Sequence, residues 1–270
     1  MASALPRVAS VAALGTTSGA AIGRHMDQAF RALVRGGAVE ATPGFLRLIS
    51  GEPHPFGNFA LLSAPVTLDG AAAAVDPLVA GGAPAAVMFP GLDVPADVDA
   101  YLAARGFMPP AAMPAMAVDI AAVPLTSLPD GYEFVRVGSG EDGREWEAQF
   151  AIGYEIPLAV AQTFSPVAFG ADTSPDAEMQ FFAIRRDGAI VGTSALYLHD
   201  GLAGIYCVST IPDERRKGLG AHATAEALRL AAGLGYRVGI LQSSDAGHGV
   251  YLKLGFSDHG GVPLYVRMPG

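Results

Sequence analysis

The run Arg215-Arg216-Lys217-Gly218-Leu219-Gly220-Ala221 constrains this chain more than any other. Ahead of it, Ile205-Tyr206-Cys207-Val208-Ser209-Thr210 is rich in β-branched and apolar residues and reads as a strand, left sharply at Ile211-Pro212-Asp213-Glu214. Behind it, Ala221 to Leu234 reads as a helix. Glycines and cations therefore stand where a strand feeds a helix N-terminus. Such a junction aims unpaired backbone N–H groups and the positive end of the helix dipole at one point, which suits a phosphate-bearing ligand. Gly218 and Gly220 carry no Cβ, so a pyrophosphate can come close to the backbone. The three cations also stand out against a formal net charge of −9, which argues against nucleic acid as the partner.

The loop is not a nucleotide P-loop, because neither G-x-x-x-x-G-K-[ST] nor G-x-G-x-x-G is present. The spacing Arg215, Gly218, Gly220, Ala221 instead resembles the acyl-CoA pyrophosphate loop of the GNAT acetyltransferase superfamily. A second run, Tyr251-Leu252-Lys253-Leu254-Gly255-Phe256, reads as a helical turn closed by glycine, with Phe256 re-entering the core. It resembles the Tyr-x-x-x-Gly-Phe run that follows the fifth strand in that family. The two runs keep the family's order, and the resemblance covers about residues 131–268.

The resemblance implies an α+β fold with a mixed, mostly antiparallel sheet flanked by helices. The residues agree: Tyr132–Val137, Met179–Arg185, Ala189–Leu198, Leu202–Ser209 and Val238–Leu241 read as strands, and Glu141–Glu155 as a helix. Acetyl-CoA is then the expected acyl donor, with no metal, and the amine of a small-molecule or amino-acid-like acceptor the expected target. The resemblance places Arg215, Arg216, Lys217, Gly218, Leu219, Gly220 and Ala221 on the donor's phosphates. It places Val208, Ser209 and Thr210 at a bulge whose freed backbone groups meet the thioester and pantetheine. Tyr251 matches the residue that protonates the leaving thiolate. Glu155, at an irregular position before Pro157, is the expected proton acceptor. Ser244 stands where many family members carry an Asn on the pantetheine arm, which weakens that contact. The other functional reading is a non-catalytic acyl-CoA-binding regulatory protein of the same fold.

One such unit needs about half of a chain of 270 residues. Residues 1–125 carry a faint repeat of the later pattern: Tyr101-Leu102-Ala103-Ala104-Arg105-Gly106-Phe107 also ends a helix (Pro95–Arg105) in Gly-Phe, between strand-like Ala85–Pro90 and Met113–Ile120. The expectation is a tandem chain, with a degenerate half at 1–125 and the acyl-CoA unit at 126–270, linked by the proline-containing Val123–Gly131. The stretch Leu68–Val75 is alanine-rich, carries an acid and offers no cation, so one acyl-CoA site per chain is expected. The halves can pair within one chain or through a homodimer. Ser50–Phe59, dense in Pro and Gly between strands Gly44–Ile49 and Phe59–Leu62, is a loop that could present His54 or Asn58 to a substrate. The start to Ile22, interrupted by Gly15–Gly19, reads as irregular chain ahead of a helix at His25–Val34. No apolar run is long enough to span a membrane, and a single Cys suits a cytoplasmic protein without an internal disulfide.

Overall fold

The computed structural model of the chain describes residues 7–35 and 38–269. A 3₁₀ turn at Val11–Thr17 leads into α1 (Ser18–Leu33). The first half continues as β1 (Ala38–Ala41), β2 (Phe45–Ile49), β3 (Asn58–Leu62), α2 (Leu68–Ala80), β4 (Ala85–Met88), α3 (Ala96–Ala104) and β5 (Ala111–Asp119). The second comprises β6 (Tyr132–Val137), α4 (Glu141–Tyr154), α5 (Leu158–Gln162), α6 (Pro166–Phe169), β7 (Met179–Arg186), β8 (Ala189–His199), β9 (Leu202–Thr210), α7 (Leu219–Gly233), β10 (Val238–Gln242), α8 (Asp245–Lys253) and β11 (Ser257–Arg267).

Among the described residues these strands form one 11-stranded sheet, ordered β1-β2-β3-β4-β11-β5-β10-β9-β8-β7-β6. Two neighbouring pairs, β3–β4 and β9–β10, run parallel, and the others are antiparallel. The internal repeat is plain in this order. A hairpin, a helix, a parallel strand, a short helix and a final strand occur as β2-β3-α2-β4-α3-β5 and again as β8-β9-α7-β10-α8-β11. The two short helices even end alike. Gly106 and Gly255 sit at φ 81° and 91°, and the N–H groups of Phe107 and Phe256 bond back to the carbonyls of Leu102 and Tyr251, each at 3.1 Å.

The final strands are exchanged between the halves. β5 pairs with β10 and β11 pairs with β4, while the two lie side by side. The halves thus join within one chain. One face of the sheet carries α1, α4 and α5, and a single apolar cluster there unites Met26, Leu33 and Phe59 with Trp146, Phe150 and Phe181. Trp146 is wholly buried and gives its indole N–H to Phe182 O at 2.9 Å, so no polar atom is stranded. The other face is covered by α7 and α8 over Ile205, Leu241 and Phe256, and by α2 and α3 over Val87 and Tyr265.

Three local expectations need correction. α1 begins at Ser18, seven residues before His25, and the chain ahead of it is a 3₁₀ turn. Its glycines are surfaces for close approach: a Cβ on Gly23 would lie 2.2 Å from Gly91 N, and one on Gly19 would lie 2.6 Å from His259 O. The alanine-rich Leu68–Val75 is the body of helix α2, not a loop, so the stretch that corresponds to the glycine loop is 63–67. The loop at 50–59 does not offer Asn58 to a ligand. Asn58 is buried; its amide accepts from Gly51 N–H at 3.0 Å and donates to the carbonyls of Glu52 (2.7 Å) and Pro84 (3.0 Å). His54 caps the following turn, taking the Phe56 N–H on Nδ1 at 3.2 Å. Among the described residues no helix is long and apolar enough to cross a membrane.

Candidate functional site

β9 and β10 pair at Ala203–Gly239 and Gly204–Ile240 and then part. Exposure follows the parting: Leu202 to Ile205 are buried, whereas Tyr206, Cys207 and Val208 are half-buried. A bulge lies at the same place. Thr193 faces Ser209 and Ala195 faces Tyr206, so Cys207 and Val208 together oppose Ser194. Cys207 takes φ 52°, a left-handed conformation that costs a non-glycine residue on the order of 1–3 kcal/mol unless its surroundings impose it. They do: the Thr193 hydroxyl donates to Cys207 O at 2.9 Å and lies 2.7 Å from Ser209 Oγ. The bulge therefore starts one residue earlier than the sequence reading placed it. Val208 is within it, while Ser209 is buried and bonded to Thr193. Desolvation pushes the Cys207 thiol up to about 12, which leaves little thiolate at neutral pH, and the side chain packs against the apolar cluster under α1 and α4.

The glycine loop stands at the mouth of this split. Gly218 caps α7 at φ 81°, with no side chain bonded to the turn. The first backbone bond of the helix runs from His222 N–H to Gly218 O at 3.0 Å. Among the described residues the N–H groups of Leu219, Gly220 and Ala221 thus have no protein partner, a ready anion site on a helix of 15 residues. Gly220 faces the bulge: a Cβ there would sit 3.5 Å from Val208 Cγ1, an ordinary contact. The matching helix of the first half is closed, because Thr67 Oγ1 takes the Gly70 N–H of α2 at 3.1 Å.

The three cations divide their labour. Arg215 reaches Thr210 O (3.2 Å), Gly153 O (2.9 Å) and Glu155 Oε1 (3.1 Å), tying the end of α4 to the end of β9. Lys217 Nζ bonds Glu214 Oε2 (2.8 Å) and the Tyr132 hydroxyl (3.2 Å). Arg216, exposed and at φ 65°, makes no hydrogen bond or ion pair among the described residues.

Glu214 does not cap α7 as its position suggests. It is buried at the hub of a network, receiving the Lys217 ammonium, the Tyr132 hydroxyl and the Arg186 guanidinium (2.7 Å). These partners, Lys217 foremost, hold its carboxyl down at about 2, against an ordinary 4.5. A depressed carboxylate stabilises the fold above its unfolded value, and that contribution fades as pH falls from about 4.5 towards 2. Glu214→Gln should lower Tm at pH 7, and the gap to wild type should close on acid titration across that window. A Tm difference that stays constant from pH 7 to pH 3 would contradict the network.

Tyr251 lies on α8 facing α7, edge-on to Phe256 with ring centroids 5.8 Å apart. Burial pushes its hydroxyl up to about 12, with Thr224 pulling slightly the other way, so the proton is held throughout the neutral range. Ser244 is the N-cap of α8 and accepts the Gly247 N–H at 3.2 Å. Glu155 ends α4 in the left-handed conformation, φ 57°, with its carboxylate on Arg215 and largely exposed. Tyr154, beside it, packs on Phe150 with ring centroids 4.7 Å apart; burial raises its hydroxyl well above the usual range, with Cys207 and Tyr251 adding to the effect. His222 packs, against Phe134 (6.1 Å) and Thr126 Oγ1 (3.0 Å). In the first half β3 pairs with β2 in unbroken register, and Leu102 occupies the position of Tyr251. That half lacks bulge, open helix end and phenol together.

Residues 146–256 match the acetyltransferase (GNAT) family model. No curated protein matches the chain. Solved structures do. A GCN5-related N-acetyltransferase from Kribbella flavida superimposes with a TM-score of 0.62 at 23% identity, over 93% of this chain and 96% of that one. A GCN5-related N-acetyltransferase from Sphaerobacter thermophilus gives 0.55 at 13% identity, over 98% and 96%. A tandem GNAT protein from the clavulanic acid biosynthesis pathway gives 0.51 at 16% identity, over 84% and 79%. At these identities the likeness is one of fold.

Proposed function

Residues 146–256 are a domain of the acetyltransferase (GNAT) family, and from that premise we propose that the chain moves an acetyl group from acetyl-CoA to the amine of a small acceptor. The observation that carries this reading is the open N-terminus of α7 at the mouth of the β9–β10 split, with Arg216 unpaired beside it. Unpaired N–H groups and a free guanidinium fit a pyrophosphate, and strand edges freed by a bulge fit the amides of a pantetheine arm.

In this reading 126–270 is the working unit and 1–125 binds no acyl-CoA of its own. The N–H groups of Leu219, Gly220 and Ala221, with Arg216, hold the phosphates; Arg215 and Lys217 keep the loop in shape. Val208 at the bulge turns a backbone N–H to the thioester oxygen as charge develops there. The neutral amine attacks the carbonyl carbon, the C–S bond breaks, and Tyr251 gives its proton to the departing thiolate. Glu155 takes the amine's proton through water at the exposed rim, and Glu155→Gln in the turnover assay checks that role. The protein works in the cytoplasm, where its single thiol stays reduced.

Calorimetric titration of acetyl-CoA should give one site per chain, and CoA should then be released when primary amines are added. Two sites would refute the silent first half. Tight binding without release on any amine would favour an acyl-CoA-binding regulator over an enzyme.

A further inference from the structure

Where β9 and β10 part, the first half of the chain reaches into the second. His25 of α1 is buried, 1% exposed, with its ring against Gly204, the last β9 residue that pairs with β10. A Cβ on Gly204 would lie 2.4 Å from His25 Cε1, so the strand has glycine where the imidazole needs the space. His25 Nδ1 lies 2.9 Å from the hydroxyl of Tyr206, and the two rings are nearly parallel, 6° apart. Nε2 is buried with no hydrogen-bond partner. Burial, helped by the neighbouring His199 and partly offset by the backbone of Leu202 and Tyr197, pushes the pKa of His25 down to about 3, so the ring is neutral and serves to hold the phenol, not to carry a proton.

Gln242 lies across the split. It stands two residues beyond Ile240, as Tyr206 stands two beyond Gly204, the partner of Ile240. Ile240 packs against Ile22 of α1, so period-two alternation puts Gln242 on the same face as His25 and Tyr206. Its Nε2 is also buried without a partner. An unpaired buried amide nitrogen on β10 and a phenol held by His25 on β9 are thereby placed on the α1 face of the split, the face opposite Tyr251. An unpaired buried donor is costly unless something supplies the missing partner.

We propose that these groups are the acceptor's recognition site: the Tyr206 oxygen, fixed by His25, receives an N–H of the amine, and Gln242 Nε2 donates to a carboxylate beside it. The acceptor is then an α-amino acid or a close analogue, and the degenerate half is kept because α1 completes the pocket. His25 is a positioning residue that acts through Tyr206. The inference rests on the acyl-transfer reading above.

The test uses the full chain, acetyl-CoA, and a panel of α-amino acids set against their decarboxylated amines, with CoA release as the readout. Wild type should favour the best amino acid over its decarboxylated amine by about tenfold or more in kcat/KM. Gln242→Leu should abolish that preference. Tyr206→Phe and His25→Phe should each raise the acceptor KM about tenfold, with kcat and the acetyl-CoA Kd within about twofold, and the double variant should be no worse than either single. Tyr206→Phe loses one oxygen only and carries the test if the His25 variant does not fold. An unchanged KM in Tyr206→Phe and Gln242→Leu, with amines still acetylated, overturns this site and leaves acyl transfer standing. A wild type that binds acetyl-CoA and acetylates no amine overturns both.

Discussion

Tyr251→Phe should cut kcat by about 100-fold or more while acetyl-CoA binds as before, because general-acid catalysis is worth ~10²–10⁴-fold. The phenyl ring keeps the contact with Phe256 and the packing between α7 and α8, so the fold has no reason to change. What is lost is the hydroxyl, with its proton and its hydrogen bond to Thr224. With the hydroxyl held near 12, the acid stays loaded across any ordinary assay range, and the wild-type rate should show no alkaline fall from this group below about pH 11. Steady-state kinetics with calorimetry on the same samples separates the two effects. A variant that keeps its turnover would remove Tyr251 from the chemistry and make it a packing residue.

The second large effect is expected at the loop. Gly220→Val should weaken acetyl-CoA binding by about 100-fold or more, as expected when two charge-assisted hydrogen bonds of ~1.5–3 kcal/mol are lost. The protein itself should tolerate the change. A Cβ at Gly220 meets only Val208 at ordinary contact distance, so Tm should fall by no more than a few degrees. The clash would be with a ligand that approaches the open N–H groups of α7. Normal calorimetric binding with an intact fold would refute the phosphate site, whereas a collapse in Tm would show Gly220 to be a packing residue.

The glycine loop and the Gly-Phe helix ends were legible in the sequence because their signals are local. A left-handed glycine after a helix satisfies nearby backbone groups, glycines before one leave them open, and neither needs a distant partner. The same locality let the repeat be seen from Gly106-Phe107 and Gly255-Phe256. The bulge was legible in kind but not in place. Its left-handed residue is Cys207, a side chain that does not advertise that conformation, held there by Thr193 from the next strand. The uses of Arg215 and Lys217 were hidden for a similar reason. Their partners, Gly153 and Tyr132, lie 62 and 85 residues away. The pairing of Tyr206 with His25 spans 181 residues and joins the two halves, so no window of sequence contains it. Nothing in the residues of Ala111–Asp119 or Ser257–Arg267 says which sheet edge each will join, since neither strand carries a pattern that singles out its partner.

The exchange of β5 and β11 bears on how the chain is made. β5 leaves the ribosome well before β10 and β11, the strands it lies between, and β4 must likewise wait for β11. During synthesis the first half therefore carries three strand edges that await later strands, one on β4 and both on β5. Neither half can settle as it emerges, in contrast to the usual order in which an N-terminal domain folds first. Closure of the sheet is set by the last strand, and the unfinished chain is the form most exposed to mispairing and most in need of a chaperone.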